Sequence, residues 1–192
     1  MISIIIPTTG RQTLCQAMLS LSCQLQPGDE ILVVSDGPSP EARRLATATG
    51  LSHSFYESDY PEHNCGHRCG NACRNFAMPL ARGDDLAFLD DDDIFLPGAL
   101  AAIRENSRAF PDRPLVFRMV TARGQVLWKQ PALQFGNIGT PMLVVPNNPA
   151  RLGQWGDRSG GDFTFAATTA ALYPPDALVW REEIICLCRP TG

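Results

Sequence analysis

The sequence predicts an α/β fold, a single domain built on a mostly parallel central sheet flanked by helices. Three observations predict it. Short apolar runs, "ISIIIP" (2–7), "ILVV" (31–34) and "LAFL" (86–89), read as strands buried on both faces. Helical patterns separate them, so strand and helix alternate over residues 1–110 and imply parallel strands joined by crossovers. At 192 residues the chain is long enough to bury one sizeable core.

The elements follow in order. After the first strand, Leu14, Met18, Leu21 and Leu25 lie on one helical face. "PGDE" (27–30) is a turn, and "ILVVSDG" (31–37) is a second buried strand ending in Asp36-Gly37. Ser39 as N-cap and Pro40 at the first helical position open a helix that closes on Gly50. "LSHSFYE" (51–57) is a third strand. Cys65, Cys69, Cys73, Phe76 and Leu80 form one apolar stripe and predict a helix over 65–81. "DLAFL" (85–89) is a fourth buried strand that delivers Asp90, Asp91, Asp92 and Asp93 at its carboxyl end. Pro97 then starts a helix over "GALAAIRENSRAF". The second half differs: two strands about a Gly124 turn, a glycine-punctuated loop and strand in "GNIGTPMLVVP", an Ala-rich helix N-capped by Asp162, and a final strand or pair of strands in "LVWREEIICLC".

Composition narrows the function. The net charge of −4 gives no basis for non-specific nucleic-acid binding. No apolar run approaches the roughly 18 residues of a membrane span. "MISIII" is short, has no basic flank and meets Pro7, so it is no signal peptide. A cytoplasmic protein is expected, with peripheral contact at the inner membrane face left open. The seven cysteines are odd in number and read as reduced thiols. His63, Cys65, His67 and Cys69 are all zinc-ligand types, but the helical stripe and the lack of any C-x-x-C favour packing.

In a sheet of this kind, ligands bind outside the carboxyl ends of the strands. Thr8-Thr9-Gly10-Arg11, Asp36-Gly37 and the four aspartates all fall at such ends and should share one crevice. Adjacent carboxylates about 4 Å apart repel by roughly 1 kcal/mol even in bulk water. Either the run is a solvated acidic helix start before Pro97, or something positive sits there. Opposite the cysteine stripe, His67, Asn71, Arg74 and Asn75 form a polar helix face, and Arg74 can donate a bidentate fork to a phosphate or base edge.

The ordered set "ISIIIPTTGR", "ILVVSDG", "GNACRNFAMPLARGDDLAFLDDDDIFLPGAL" and "GGDFTF" resembles the family 2 glycosyltransferases of the GT-A, Rossmann-like fold. The resemblance is strong over residues 1 to about 105 and loose from 106 to 192. It implies a nucleotide-sugar-binding half (1–110) and an acceptor-side half (111–192). It implies a nucleotide-diphospho-sugar donor and an acceptor hydroxyl on a saccharide, lipid or protein. On this resemblance Pro7, Thr8, Thr9, Arg11, Asp36 and Arg74 bind the donor nucleotide. Asp90, Asp91 and Asp92 match a D-x-D motif: Asp92 is the direct metal ligand, Asp91 faces the donor sugar, and Asp90 or Asp93 supports them. Asp162 matches the late acidic residue that serves as base, with inversion at the anomeric carbon. Ser35 stands where the family often has a second acidic residue.

The chemistry agrees. A diphosphate cannot meet a bare carboxylate cluster, whereas Mn²⁺ or Mg²⁺ takes carboxylate ligands, leaves positions for phosphate oxygens and acts as a Lewis acid on the leaving group. Other readings stay open. Asp162 can be an ordinary helix cap, and Asp157 competes with it as base. Trp155 can stack on an acceptor sugar or belong to the core, and Asn137 and Thr140 can line the acceptor side. A nucleotidyltransferase is a rival, although "PTTGRQT" is poor in glycine for a phosphate loop. A non-catalytic sugar-nucleotide-binding module or accessory subunit is another. A phosphatase with its aspartates after the first strand, and a zinc deaminase with H-x-E and P-C-x-x-C, both lack their residues here.

Overall fold

The structure, a computed structural model, describes residues 1–58, 70–156 and 159–189. The expected cysteine-striped turn over 65–69, the His63/Cys65/His67/Cys69 set and Asp157 lie outside these residues.

The α/β fold is as the sequence predicts. β1 (Ile2–Thr8), β2 (Glu30–Asp36), β3 (Ser54–Ser58) and β4 (Asp85–Phe88) form a parallel half-sheet in the order β3-β2-β1-β4. Every β1 residue is buried, and Ile5 sits in register with Leu32 on one side and Phe88 on the other. The sheet continues through β8 (Leu143–Pro146), β6 (Leu115–Thr121), β9 (Val179–Cys188) and β5 (Ile94–Phe95), with β7 (Val126–Leu127) paired to β6. β8 runs antiparallel to β4 and β6, while β9 is parallel to β6. The helices are α1 (Leu14–Leu19), α2 (Pro40–Ala48), α3 (Asn71–Ala77), α4 (Ala99–Ala109) and α5 (Gly161–Ala170). Ser39 caps α2 as expected: its hydroxyl accepts from the Ala42 amide at 3.1 Å.

This order positions the site. β2 and β3 build outward on one side of β1, whereas β4 lies on the other. The chain therefore reverses its direction of growth between β1 and β4, and a crevice opens above their carboxyl ends. α5 is held over the second half by aromatic packing. Trp155 stacks on Phe165 at 4.5 Å with an interplanar angle of 6°, and Phe88 of β4 meets the Trp155 ring edge-on at 4.9 Å.

Two local expectations are corrected. The helix expected over 65–81 begins at Asn71, because Gly70 at its N-cap adopts a left-handed φ of +67° that a helix cannot run through. Its far end tightens into a 3₁₀ turn, Met78–Leu80. Asp162 is not the cap of α5: Gly160 is, at φ +84°, and Asp162 sits in the first turn. Of the two expected forms, a final strand or a pair, β9 is the single strand. Its pairing with β6 shifts register twice, between Val116 and Arg118 and between Arg118 and Met119, and these bulges break the apolar alternation. Between the aspartates and Pro97, the two residues of β5 pair with Leu187 and Cys186 of β9, an element not assigned from the sequence. Among the described residues no helix is long and apolar enough to cross a membrane.

Candidate active site

The carboxyl ends of β1 and β4 are tied together by side chains. The Thr8 hydroxyl donates to Asp91 Oδ2 at 2.6 Å, and the Thr9 amide approaches the same oxygen at 3.4 Å. Thr8 Oγ1 also accepts from the Gly10 amide at 3.0 Å, which shapes the turn leading to Arg11. Asp91 is thus turned inward. The Arg11 guanidinium pairs with Asp92 and lies 3.7 Å from Asp91.

A second buttress comes from α3. The left-handed Gly70 packs closely on the end of β1, since a Cβ there would fall 2.7 Å from Pro7 Cβ. One turn on, the Arg74 side chain is 3% exposed. Its guanidinium pairs with Asp90, donates to Asn71 Oδ1 at 2.8 Å and lies 4.6 Å from the Trp155 ring centroid. Asn71 in turn donates to the Gly156 carbonyl at 2.7 Å, and Asn75 exchanges two hydrogen bonds with the Trp155 backbone. α3 is therefore fastened to the segment that leads into α5, and Asp162 is brought to the same crevice. Gly161 is required there, because a Cβ would run into the Asn71 amide.

The outcome is one cleft of about 700 Å³. Pro7, Thr8, Thr9, Arg11 and Asp36 line it from the strand ends, and Arg74 lines it from α3. Asp90, Asp91 and Asp92 form another wall, and Asp162 faces it from α5. Of the residues singled out in the sequence for donor, metal or base roles, all but Asp93 and Asp157, which lies outside the described residues, are in this lining. Of the weaker candidates, Thr140 lines it too. Asn137 does not: its side chain pins a loop by bonding to the Lys129 amide and to the Gln130 and Ala132 carbonyls. Trp155 is core, 3% exposed. Ser35 is buried and turns its hydroxyl onto the Gly37 carbonyl.

Three contributors escaped the sequence reading. Gly70 and Ser159 carry no local signal beyond their type. Arg189 follows β9: its amide donates to Asp93 Oδ1 at 3.0 Å and its Nε donates to the Asp92 carbonyl at 2.6 Å. No spacing in the sequence links Arg189 to the aspartates; only the fold does.

The electrostatics are those of a carboxylate-rich, partly dry crevice. Burial, opposed by the Thr8 hydrogen bond and the Arg11 charge, raises Asp91 above the ordinary carboxylate range. Burial and the neighbouring Asp90 charge push Asp93 up to about 7. Burial raises Asp162 as well, against the hydrogen bond from the Phe163 amide. Asp90, Asp92 and Asp93 each offer an oxygen within 4.8 Å of the others. An all-oxygen, anionic donor set at this spacing fits a hard divalent cation. Asp91, held to Thr8, lies outside that group.

A profile of the family described as glycosyl transferase family 2 matches residues 3–144. No curated protein matches the sequence. Among solved structures, S. aureus TarS 1-349 superposes with a TM-score of 0.75 at 16% identity, covering 98% of this chain and 60% of that one. The same fragment in complex with UDP-GlcNAc gives 0.75 at 16% identity, covering 100% and 59%. The mannosyltransferase PcManGT from Pyrobaculum calidifontis, in complex with GDP-Man and Mn²⁺, gives 0.66 at 17% identity, covering 97% and 56%. The chain thus spans about 60% of the TarS fragment it matches, and at these identities the likeness shows the fold.

Proposed function

The chain belongs to glycosyl transferase family 2, and from that premise we propose that it moves a sugar from a nucleoside diphosphate to an acceptor hydroxyl, with a divalent cation and with inversion. One observation carries the reading. A carboxylate group suited to a cation, two arginines that neutralise it and a separate carboxylate, Asp162, all line one cleft at the sheet's switch point. The TarS and PcManGT structures, solved with UDP-GlcNAc and with GDP-Man and Mn²⁺, support a nucleotide-sugar donor.

In this reading the base and ribose rest against Pro7, Thr8, Thr9 and Asp36. Asp92 holds the cation, with Asp90 and Asp93 within reach of the same position. The bound cation, Mn²⁺ or Mg²⁺, supplies Lewis-acid stabilisation of the leaving diphosphate. Arg11 and Arg74, paired with Asp92 and Asp90, would supply the cationic donors for phosphate oxygens in the cleft. Asp91 faces the donor sugar while Thr8 fixes its carboxylate. Asp162 accepts the proton of the acceptor hydroxyl. The acceptor oxygen then bonds to the anomeric carbon. The bond from that carbon to the phosphate oxygen breaks, and its electron pair leaves with the nucleoside diphosphate. Burial keeps Asp162 basic enough for that task.

We read residues 1–110 as the donor half and 111–192 as the acceptor half of one unit. A cytoplasmic setting suits the free thiols of Cys15, Cys23, Cys73, Cys186 and Cys188. The alternative is a sugar-nucleotide-binding module or accessory subunit that would hold the donor in the same cleft without transferring it.

Incubation with UDP-, GDP-, dTDP- and CDP-sugars, Mn²⁺ and an acceptor mixture tests the proposal. Release of a nucleoside diphosphate, lost in Asp92→Ala, is expected. Pyrophosphate release would indicate nucleotidyl transfer instead, and nucleotide binding without any transfer would indicate the binding module.

A further inference from the structure

Against the first turn of α5, the helix that carries Asp162, stands the most exposed large hydrophobic side chain among the described residues. Phe135 is 72% exposed, well above Leu19 at 48% or Met1 at 46%. Its ring lies directly on Gly160, the cap of α5, where a Cβ would collide with it. It meets the ring of Phe163, the residue after Asp162, edge-on at 6.2 Å and 75°.

Phe135 is not a loose surface residue. It occupies a turn closed by a 3.1 Å bond from the Asn137 amide to the Gln134 carbonyl, with Gly136 at φ +77° beside it. The Asn137 side chain clamps that turn through the Gln130 and Ala132 carbonyls at 3.0 and 2.7 Å. The fold thus spends polar contacts to hold an apolar ring in water beside a polar site.

We propose that Phe135 is the acceptor platform, and that the acceptor is a pyranoside whose C–H face stacks on this ring while one hydroxyl reaches Asp162. This rests on the glycosyl-transfer reading and names its acceptor class. The occupant must be apolar on one face and hydroxylated around its rim, because the neighbouring cleft groups, Thr140, Ser159 and Asp162, are polar. A pyranose chair has that form: one face of axial C–H groups and a ring of equatorial hydroxyls. The Phe135 ring alone, 72% exposed, offers the face for one sugar ring, and Phe163 meets it edge-on. Phe135 would set acceptor affinity without touching the donor.

The test uses saturation-transfer NMR with methyl glycosides of glucose, galactose, mannose and N-acetylglucosamine. The protein carries Mn²⁺-free buffer plus Mg²⁺ and the nucleoside diphosphate that stabilises it most. Wild type, Phe135→Ala and Phe135→Trp are compared, with farnesol as the lipid probe. The expected result is saturation of axial ring protons of at least one glycoside. Its affinity falls roughly five- to tenfold in Phe135→Ala, the effect of uncovering one ring face, and is kept in Phe135→Trp. The thermal shift given by the nucleotide stays the same in all three proteins. Equal glycoside binding by Phe135→Ala would overturn the inference. So would a nucleotide shift with no glycoside signal, or Phe135-dependent binding of farnesol alone. Absence of any nucleotide shift would overturn the glycosyl-transfer reading itself and this inference with it.

Discussion

Replacing Arg74 with Met tests whether the cleft is held by the contacts described. Arg74 is almost fully buried and makes three kinds of contact: an ion pair with Asp90, a 2.8 Å hydrogen bond to Asn71 and a stack 4.6 Å above Trp155. Hydrogen bonds involving a charged group contribute about 1.5–3 kcal/mol each, and a desolvated cation–π contact about 2 kcal/mol. Asp90 is 31% exposed, so water replaces much of what its carboxylate loses. Met refills part of the volume. The contacts share one side chain and do not add, so a loss of about 2–4 kcal/mol is expected. With a urea m-value of about 2.5 kcal/mol/M, the unfolding midpoint should fall by about 0.8–1.6 M. Arg74→Lys keeps the charge but not the planar fork and should fall between the two. A midpoint within about 0.2 M of wild type for Arg74→Met, equivalent to about 0.5 kcal/mol, would refute the claim that Arg74 fastens α3 to the aspartate turn.

Other outcomes follow from the same geometry. Gly161→Ala should lower stability by about 1–3 kcal/mol, because its Cβ displaces the Asn71 amide; unfolding curves read this, and an unchanged midpoint would mean Asn71 is not the clamp. Asp162→Asn should reduce transfer by about 10²–10⁴-fold. In wild type, transfer should be lost as pH falls through a pKa above the ordinary carboxylate value, since Asp162 must be ionised to act and burial raises it; a pH profile flat down to about 4 would exclude it as base. In metal-free protein Asp93 acts in the opposite sense on stability. Its folded-state pKa of about 7 lies above its unfolded value, so its contribution is full below about 4 and is lost as pH rises to about 7. Asp93→Asn, which keeps an oxygen for the Arg189 amide, should therefore raise the Tm at pH 8 in EDTA, and a lower Tm would contradict the sign.

How far the sequence carried depends on the range of each interaction. β1, β2 and β4 are legible because both faces are buried, so "ISIIIP", "ILVV" and "LAFL" are apolar but for the buried Ser3. Their order then places Thr8, Asp36 and the aspartates at one edge, and chain direction alone accounts for most of the cleft. Asp162 was found through the family pattern, not through helix chemistry; the cap it was expected to form belongs to Gly160. What stayed hidden is long-range. β5 exists because Ile94 and Phe95 meet Leu187 and Cys186, far along the chain. Arg189 reaches Asp92 and Asp93 for the same reason. The start of α3 turned on the conformation of Gly70, which a 3.6-residue stripe does not report. Phe135 reads in sequence as one more apolar residue in a loop, and only its exposure beside Gly160 distinguishes it.

The most direct test of the central claim is thermal stabilisation by UDP, GDP, dTDP and CDP, each with and without Mn²⁺, on wild type and Asp92→Ala. A ligand that binds only the folded protein adds about 2.7 kcal/mol at a hundredfold excess over Kd. The expected result is a Mn²⁺-dependent rise in Tm for one nucleotide, absent in Asp92→Ala. No rise with any nucleotide, or an equal rise in Asp92→Ala, would contradict a cation–diphosphate site at the aspartate turn.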